Sequence, residues 1–167
     1  MAFMLSSPDV AAHSTISAPY VYAACGGGNV SPELRWSGAP AGTMAYAISV
    51  YDPDAPTGSG WWHWLAYNIP AAVSQLPRGA GNGGSAPLPA GAAQGMNDYS
   101  QPGYGGPCPP PGSSPHHYIF TVFALKVARL ELPANASSAL IGFNLNANLL
   151  AKASFTATYS RPAQPAK

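Results

Sequence analysis

Ionisable side chains are scarce in this chain, so their positions carry information about its chemistry. Only six Asp or Glu and four His residues occur among 167. Asp52 and Asp54 lie in one Asp-Pro-Asp-Ala-Pro segment, and His63 follows on the next predicted strand. His116 and Tyr118 are two residues apart, so on a strand their side chains share a face. Carboxylate, imidazole and phenol groups that converge could bind an anion, hold a metal or perform acid–base catalysis.

Each of these groups also has a purely structural interpretation. Asp52 could bond one ring nitrogen of His63 and turn the other toward a ligand. Equally, Asp54 could simply form turn hydrogen bonds, which Asp does well. His63, flanked by tryptophans, could be a hydrogen-bonded core residue, and Tyr118 could be a core aromatic with a satisfied hydroxyl.

Familiar catalytic and cofactor motifs are missing from the sequence. It contains no P-loop, no GxGxxG opening a helix, no HExxH and no GxSxG. Asp52, His63 and His116 could in principle form a facial metal triad, but nothing in the sequence demands it. Cys25 and Cys108 lack partners at zinc-finger spacing. We therefore expect neither a cofactor nor a metal.

Composition narrows the function classes further. Charged residues make up 8% of the chain and the net charge is +1, so no basic field is available to hold a nucleic acid. A hydrophobic fraction of 47% argues against disorder. No run of 18 apolar residues occurs, so no transmembrane segment is expected. With no signal peptide seen, we expect a cytoplasmic protein whose two cysteines are reduced by default, although they could pair if the fold brings them close.

The elements that must position these groups are mostly strands. Neutral apolar or alternating runs predict strands at 43–52, 61–69, 117–127 and 155–159, and helix-like spacing of leucines predicts a helix at roughly 136–153. The Gly-rich segment 79–95 is expected to be a long surface loop, and 99–116 a stiff, shaped loop. This pattern favours an antiparallel sandwich or barrel rather than a parallel sheet.

Segments in the same order along nearly the whole chain resemble the phosphatidylethanolamine-binding protein family, also called the Raf kinase inhibitor protein family, and its bacterial and archaeal branch most of all. They are GNVSPELRW at 28–36, DPDAP at 52–56, HWLAYNIP at 63–70, GMNDY at 95–99, GYGGPCPPPG at 103–112 with His116 and Tyr118, and the segment 150–161. One difference is His117, which stands where the family commonly has Arg.

The resemblance implies a mainly β fold: a sandwich of two antiparallel sheets with a short C-terminal helix, in a single domain over 1–161 with a frayed tail at 162–167. It also implies a small pocket at one end for anions such as phosphate or a phosphoethanolamine head group. The residues that would form the pocket are Asp52, Asp54, Pro56, Trp61, His63, Cys108, Pro109, Pro110, His116 and Tyr118.

Three functions remain open at this stage. The first is a non-enzymatic binding protein that acts through a protein partner, as a protease or kinase inhibitor. The second is a hydrolase that uses Asp52, His63 and His116 on a small ester or phosphoester, although no activated nucleophile is evident. The third is a homodimer with a vestigial pocket, favoured by a low-charge aromatic surface. If protonated histidines attract the anion, its affinity should rise below roughly pH 6.5.

Overall fold

The structure is a computed structural model that describes residues 1–82 and 87–165. Within those residues, strands dominate and one α-helix follows the penultimate strand. In chain order the elements are β1 (Met4–Ser6), β2 (Leu34–Ser37), β3 (Ala45–Asp52), β4 (Trp61–Pro70), β5 (Gln75–Leu76), β6 (Ala93–Gln94), β7 (His116–Leu125), α1 (Ser138–Ala147) and β8 (Leu149–Tyr159). Short 3-10 helices occupy Ala18–Tyr20, Ala23–Cys25 and Ala80–Asn82.

The strands form two antiparallel sheets. The small sheet has the order β1-β2-β5, and the large sheet has the order β6-β4-β3-β7-β8. Leu34 and Trp36 of the small sheet share a core with Ile48, Val50 and Phe120 of the large one. The two-sheet sandwich with a short C-terminal helix, predicted above, is thus confirmed.

A third layer covers the outer face of the large sheet. Ile141 and Leu145 of α1 pack in one cluster with Ala47, Leu65 and Phe123. Because both faces of the central strand β3 are covered, nearly all of its side chains are buried. This burial explains why the run before Asp52 is uncharged and mostly apolar and does not alternate between apolar and polar residues.

The predicted helix at 136–153 is wrong at its C-terminal end. The Ser137 hydroxyl caps the helix by accepting a hydrogen bond from the Leu140 amide, and Asn148 ends it. From Leu149 the chain pairs with β7, starting opposite Leu125. Sheet hydrogen bonds with β7 therefore override the helical spacing of the last leucines.

The segment 79–95 is less loop-like than expected, although its residues 83–86 lie outside the described part. Ala80 and Gly81 are buried, and β6 adds two residues to the edge of the large sheet. Gly81 passes so close to the Trp64 ring that a Cβ would lie 2.8 Å from its Cε2 atom. The small residues here permit close packing. At the C-terminus, residues 162–165 are exposed without regular structure, and 166–167 are not described.

Membrane insertion through a helix finds no support in the described residues. Nowhere in 1–82 or 87–165 is a helix long and apolar enough to cross a bilayer.

Candidate ligand-binding site

Three neighbouring strands bring the predicted side chains to one end of the large sheet. Asp52 ends β3, while Trp61 begins β4 directly opposite it. His116 begins β7, the other neighbour of β3. Because adjacent strands run antiparallel, the last residue of β3 lies beside the first residues of β4 and β7. Residues from distant parts of the sequence therefore meet at one rim.

A bulge in β4 aims His63 at this rim. Val50 pairs with Trp64 and Tyr51 pairs with Trp62, so His63 has no partner residue on β3. A bulge residue breaks the alternation of side chains, and here it lets His63 line the cavity while Trp64 beside it enters the core. The bulge thus supplies one site residue without removing a core residue.

Asp52 holds His116 rather than His63. Its Oδ2 atom accepts a hydrogen bond from His116 Nδ1 at 2.6 Å, and its Oδ1 accepts one from the Asp54 amide at 2.8 Å. Both side chains of the pair are almost fully buried. The suggested Asp52–His63 hydrogen bond is not formed. The Asp52–His116 contact leaves Nε2 of His116 as the nitrogen available to a ligand.

His63 is oriented by the backbone instead. Its Nδ1 lies 2.7 Å from the carbonyl oxygen of Gly105. Burial lowers the pKa of His63 to about 4, although the Gly105 carbonyl and the charge of Asp52 favour its protonation. The ring is therefore neutral at pH 7. Any rise in anion affinity that depends on protonating His63 is shifted well below the expected pH 6.5.

Two hydrogen-bond donors beside these histidines have no acceptor. The Tyr118 hydroxyl and Trp61 Nε1 are buried and make no hydrogen bond within the described residues. Burial, reinforced by the charge of Asp52, raises the pKa of Tyr118, so its hydroxyl keeps its proton. Buried polar groups are rarely left unpaired, because each costs stability. Both side chains line the same cavity.

That cavity has a volume of about 260 Å³. Its lining consists of Tyr22, Asp52, Ala55, Pro56, Thr57, Trp61, His63, Tyr99, Cys108, Pro109, Pro110, His116 and Tyr118. With the exception of Asp54, every residue that the sequence analysis predicted for the pocket lines this cavity.

Asp54 lies outside the cavity and binds β7, the neighbour of β3 in the sheet. Its carboxylate accepts a hydrogen bond from the His117 amide at 2.8 Å and pairs with His117 Nδ1 at 2.7 Å. Although partial burial acts to raise it, the pKa of Asp54 is lowered by these contacts with His117. The aspartate therefore fastens the loop after β3 to β7, and its contact with His117 is an ion pair only when the imidazole is protonated.

Four lining residues carried no prediction: Tyr22, Ala55, Thr57 and Tyr99. Tyr22 stacks on Tyr99 with ring centroids 3.9 Å apart and nearly parallel planes. The Tyr99 hydroxyl donates to the Gly106 carbonyl at 2.8 Å, and Asn97 Oδ1 accepts from the Tyr99 amide. Tyr99 lay inside a recognised segment, so its presence could have been anticipated. Tyr22 lay in none and is placed only by the tertiary structure.

A disulfide joins the segment after Tyr22 to the cavity wall formed by Pro109 and Pro110. Cys25 pairs with Cys108, with their Cα atoms 5.7 Å apart, within the usual range for a disulfide. The default expectation of reduced thiols is therefore wrong, and the alternative of pairing holds. The wall is fixed from the other side by Arg161, whose Nε donates to the Pro109 carbonyl at 2.7 Å.

The described side chains do not form a metal site. Among residues 1–82 and 87–165, no group of three or more His, Cys, Asp or Glu side chains is placed to hold one. The facial triad considered from the sequence gains no support.

Comparison with known proteins assigns the family. The model of the family described as "Phosphatidylethanolamine-binding protein" matches residues 6–160. The chain belongs to this family. It is 49% identical to UPF0098 protein YbcL of Escherichia coli (strain K12) over 95% of this chain and 87% of that protein. UPF0098 protein YbhB of the same strain is 48% identical over 80% of this chain and 84% of that protein.

The solved structures agree with this assignment. The crystal structure of Escherichia coli YbcL, described as a new member of the mammalian PEBP family, superposes with a TM-score of 0.92. The match covers 95% of this chain and 98% of that one at 49% identity. The sandwich and its helix are thus those of the family.

Proposed function

We propose that this protein is a binding protein for a small phosphorylated ligand, either phosphate or a phosphoethanolamine-like head group, held in the cavity at the rim of the large sheet. The observation that supports it best is a pair of buried donors without a partner among the described residues, the Tyr118 hydroxyl and Trp61 Nε1, which belong to two side chains that line the cavity. Donors of this kind suit the oxygens of an anion. His116, whose Nδ1 donates to Asp52, has Nε2 left for the ligand, and this nitrogen donates to an anion when the imidazole is protonated.

The phosphoryl group is the part of the ligand that this site suits. Asp54, a carboxylate that could have met the amine of a phosphoethanolamine head group, is engaged with His117 and does not line the cavity. Both oxygens of Asp52 already accept hydrogen bonds. The Tyr118 hydroxyl and Trp61 Nε1, in contrast, have no hydrogen-bond partner in the described part of the chain, so recognition is proposed to centre on the phosphoryl oxygens.

Binding is favoured over hydrolysis by the state of the nucleophiles in the lining. Cys108 is in a disulfide, and the Thr57 hydroxyl donates to the Gly60 carbonyl at 2.6 Å. Neither is paired with a general base, as nucleophilic catalysis requires. The hydrolase that would use Asp52, His63 and His116 remains the alternative, and phosphoester turnover that disappears in His63→Ala would establish it.

The partner and the compartment are also proposals. A protease or kinase as partner, and a homodimer, stay predictions; the homodimer is supported by the exposed Phe143 and Leu140 side chains on α1. The cytoplasmic location predicted from the sequence fits less well with the Cys25–Cys108 disulfide, because disulfides persist mainly in oxidising compartments. We favour an oxidising compartment.

Replacing one unpaired donor tests the proposed site. Tyr118→Phe should weaken binding of inorganic phosphate by roughly tenfold, the cost of one charge-assisted hydrogen bond. It should leave the free energy of unfolding unchanged or higher, since the hydroxyl has no partner to lose. Isothermal titration calorimetry and urea unfolding measure the two effects.

Tyr104→Phe is the matched control. The Tyr104 hydroxyl is also buried, but it donates to the Tyr20 carbonyl at 2.7 Å and does not line the cavity. This variant should lose stability and keep its phosphate affinity. Equal phosphate affinities in wild type and Tyr118→Phe would contradict the proposed site.

A further inference from the structure

The two ring nitrogens of His63 have different roles. Its Nδ1 lies 2.7 Å from the Gly105 carbonyl oxygen, which can only accept a hydrogen bond. Nδ1 must therefore carry the proton. A neutral imidazole has one N–H, so Nε2 presents a lone pair, and it is the nitrogen left for a ligand in the cavity. The backbone of Gly105 thus makes His63 a hydrogen-bond acceptor.

The surroundings keep the ring in that state. His63 is 3% exposed, and its burial lowers its pKa to about 4. The Tyr118 ring packs edge-on against the imidazole at a centroid distance of 5.2 Å. The ionisable side chains that face His63 are those of Asp52, Asp98, Tyr99 and Tyr118.

An acceptor in an anion site restricts the anions that fit. An oxygen without a proton would place its lone pair against that of His63 Nε2, and one buried acceptor would stay unpaired. The monoanion of phosphate or of a phosphomonoester has a P–OH that can donate to Nε2, while its unprotonated oxygens accept from Tyr118 and Trp61. The nearby Asp52 carboxylate also disfavours a second negative charge on the ligand. Sulfate and sulfate esters have the same shape and no such proton.

We propose, on the basis of the function proposed above, that His63 makes the cavity select the monoanion of phosphate or of a phosphomonoester and reject sulfate or a sulfate ester of the same shape. His63 is then the specificity-determining residue of the site. Leaving a buried acceptor unpaired should weaken binding by roughly 10- to 100-fold.

The test compares matched anions with the wild-type protein. Calorimetric titrations at about pH 5.5 use methyl phosphate, mainly a monoanion there, and methyl sulfate. We expect methyl phosphate to bind at least roughly tenfold more tightly. Equal affinities would overturn the selectivity and leave the anion site standing. Failure of both anions to bind would overturn the proposed function itself.

The variant His63→Asn assigns the selectivity to this residue. Asn Nδ2 can replace Nδ1 as donor to Gly105, but nothing replaces the Nε2 acceptor. We expect the ratio of methyl phosphate to methyl sulfate affinity to fall to near one. A purely structural role would lower both affinities and keep the ratio, which would contradict the proposal. Tyr118→Phe is the control, since loss of a donor should weaken both anions alike. If His63→Asn does not fold, the wild-type comparison decides.

Discussion

At the scale of single residues, the buried neutral His63 links the cavity to stability in acid. Its pKa is 6.5 in the reference state and about 4 in the folded protein. Between these values the unfolded chain binds a proton that the folded protein excludes, so the free energy of unfolding falls as the pH decreases. The total loss from this one group is about 3 kcal/mol, completed near pH 4.

Urea unfolding at pH 7 and pH 4.5 measures this loss. Carboxylates such as Asp54, whose pKa is lowered in spite of partial burial by its contacts with His117, also destabilise the protein as the pH falls. The difference between wild type and His63→Asn therefore isolates the histidine. The exposed His13, whose side chain makes no hydrogen bond within the described residues, provides the control variant His13→Asn. An unchanged pH dependence in His63→Asn would argue against a buried neutral imidazole.

Residue identity predicted most of the groups that line the cavity but not how they pair. Asp52 was a reasonable partner for His63, because the two lie on consecutive predicted strands. The pairing with His116 depends on β7 lying on the other side of β3, which is a property of the sheet order. The Gly105 carbonyl that orients His63 comes from a loop and leaves no signal in side-chain chemistry.

At the scale of elements, the bulge in β4 and the helix α1 show two different constraints. The bulge lets two consecutive side chains serve different purposes: Trp64 fills the core while His63 reaches the cavity. Alternation alone predicts opposite faces for these neighbours. The helix, in contrast, is loosely constrained in its middle, where Gly142 faces open space.

Gly142→Ala should stabilise the protein. A Cβ built at Gly142 meets no atom within 4 Å, and the residue lies inside α1, where glycine is unfavourable relative to alanine. The free energy of unfolding should rise by about 0.5–1 kcal/mol, measured by urea unfolding.

Gly106→Ala is the opposite case and serves as the control. Its Cβ would overlap the carbonyl oxygen of Tyr20, which belongs to the backbone and cannot move aside cheaply. This variant should destabilise the protein. A decrease in the free energy of unfolding of Gly142→Ala would contradict the predicted stabilisation of α1.

At the scale of the whole molecule, the disulfide closes a loop over half of the chain. Cys25 and Cys108 are 83 residues apart, and the loop between them includes β2 to β6. Closing a loop of this length reduces the entropy of the unfolded chain and is worth about 4–5 kcal/mol in the chain-entropy model. Reduction should therefore lower the stability of the entire sandwich.

Thermal and urea unfolding with and without a phosphine reductant measure this contribution. The double variant Cys25→Ser/Cys108→Ser should match the reduced wild type and be insensitive to the reductant. An oxidised and a reduced protein with the same unfolding midpoint would rule out the bridge as a stabilising element.

Local signals in the sequence were enough to predict the fold class, the family segments and most of the residues that line the cavity, because strands, turns and rare ionisable groups can be recognised without knowing the fold. Tyr22, Ala55, Thr57 and Tyr99 were not predicted, and Asp54 lies outside the cavity. Tertiary structure alone decided the Asp52–His116 pair, the diversion of Asp54 to His117, the disulfide, and the extension of β8 into the predicted helix. These features depend on which segments become neighbours. Neighbours in a sheet are set by the packing of the whole chain, and residue type or spacing does not encode that packing locally.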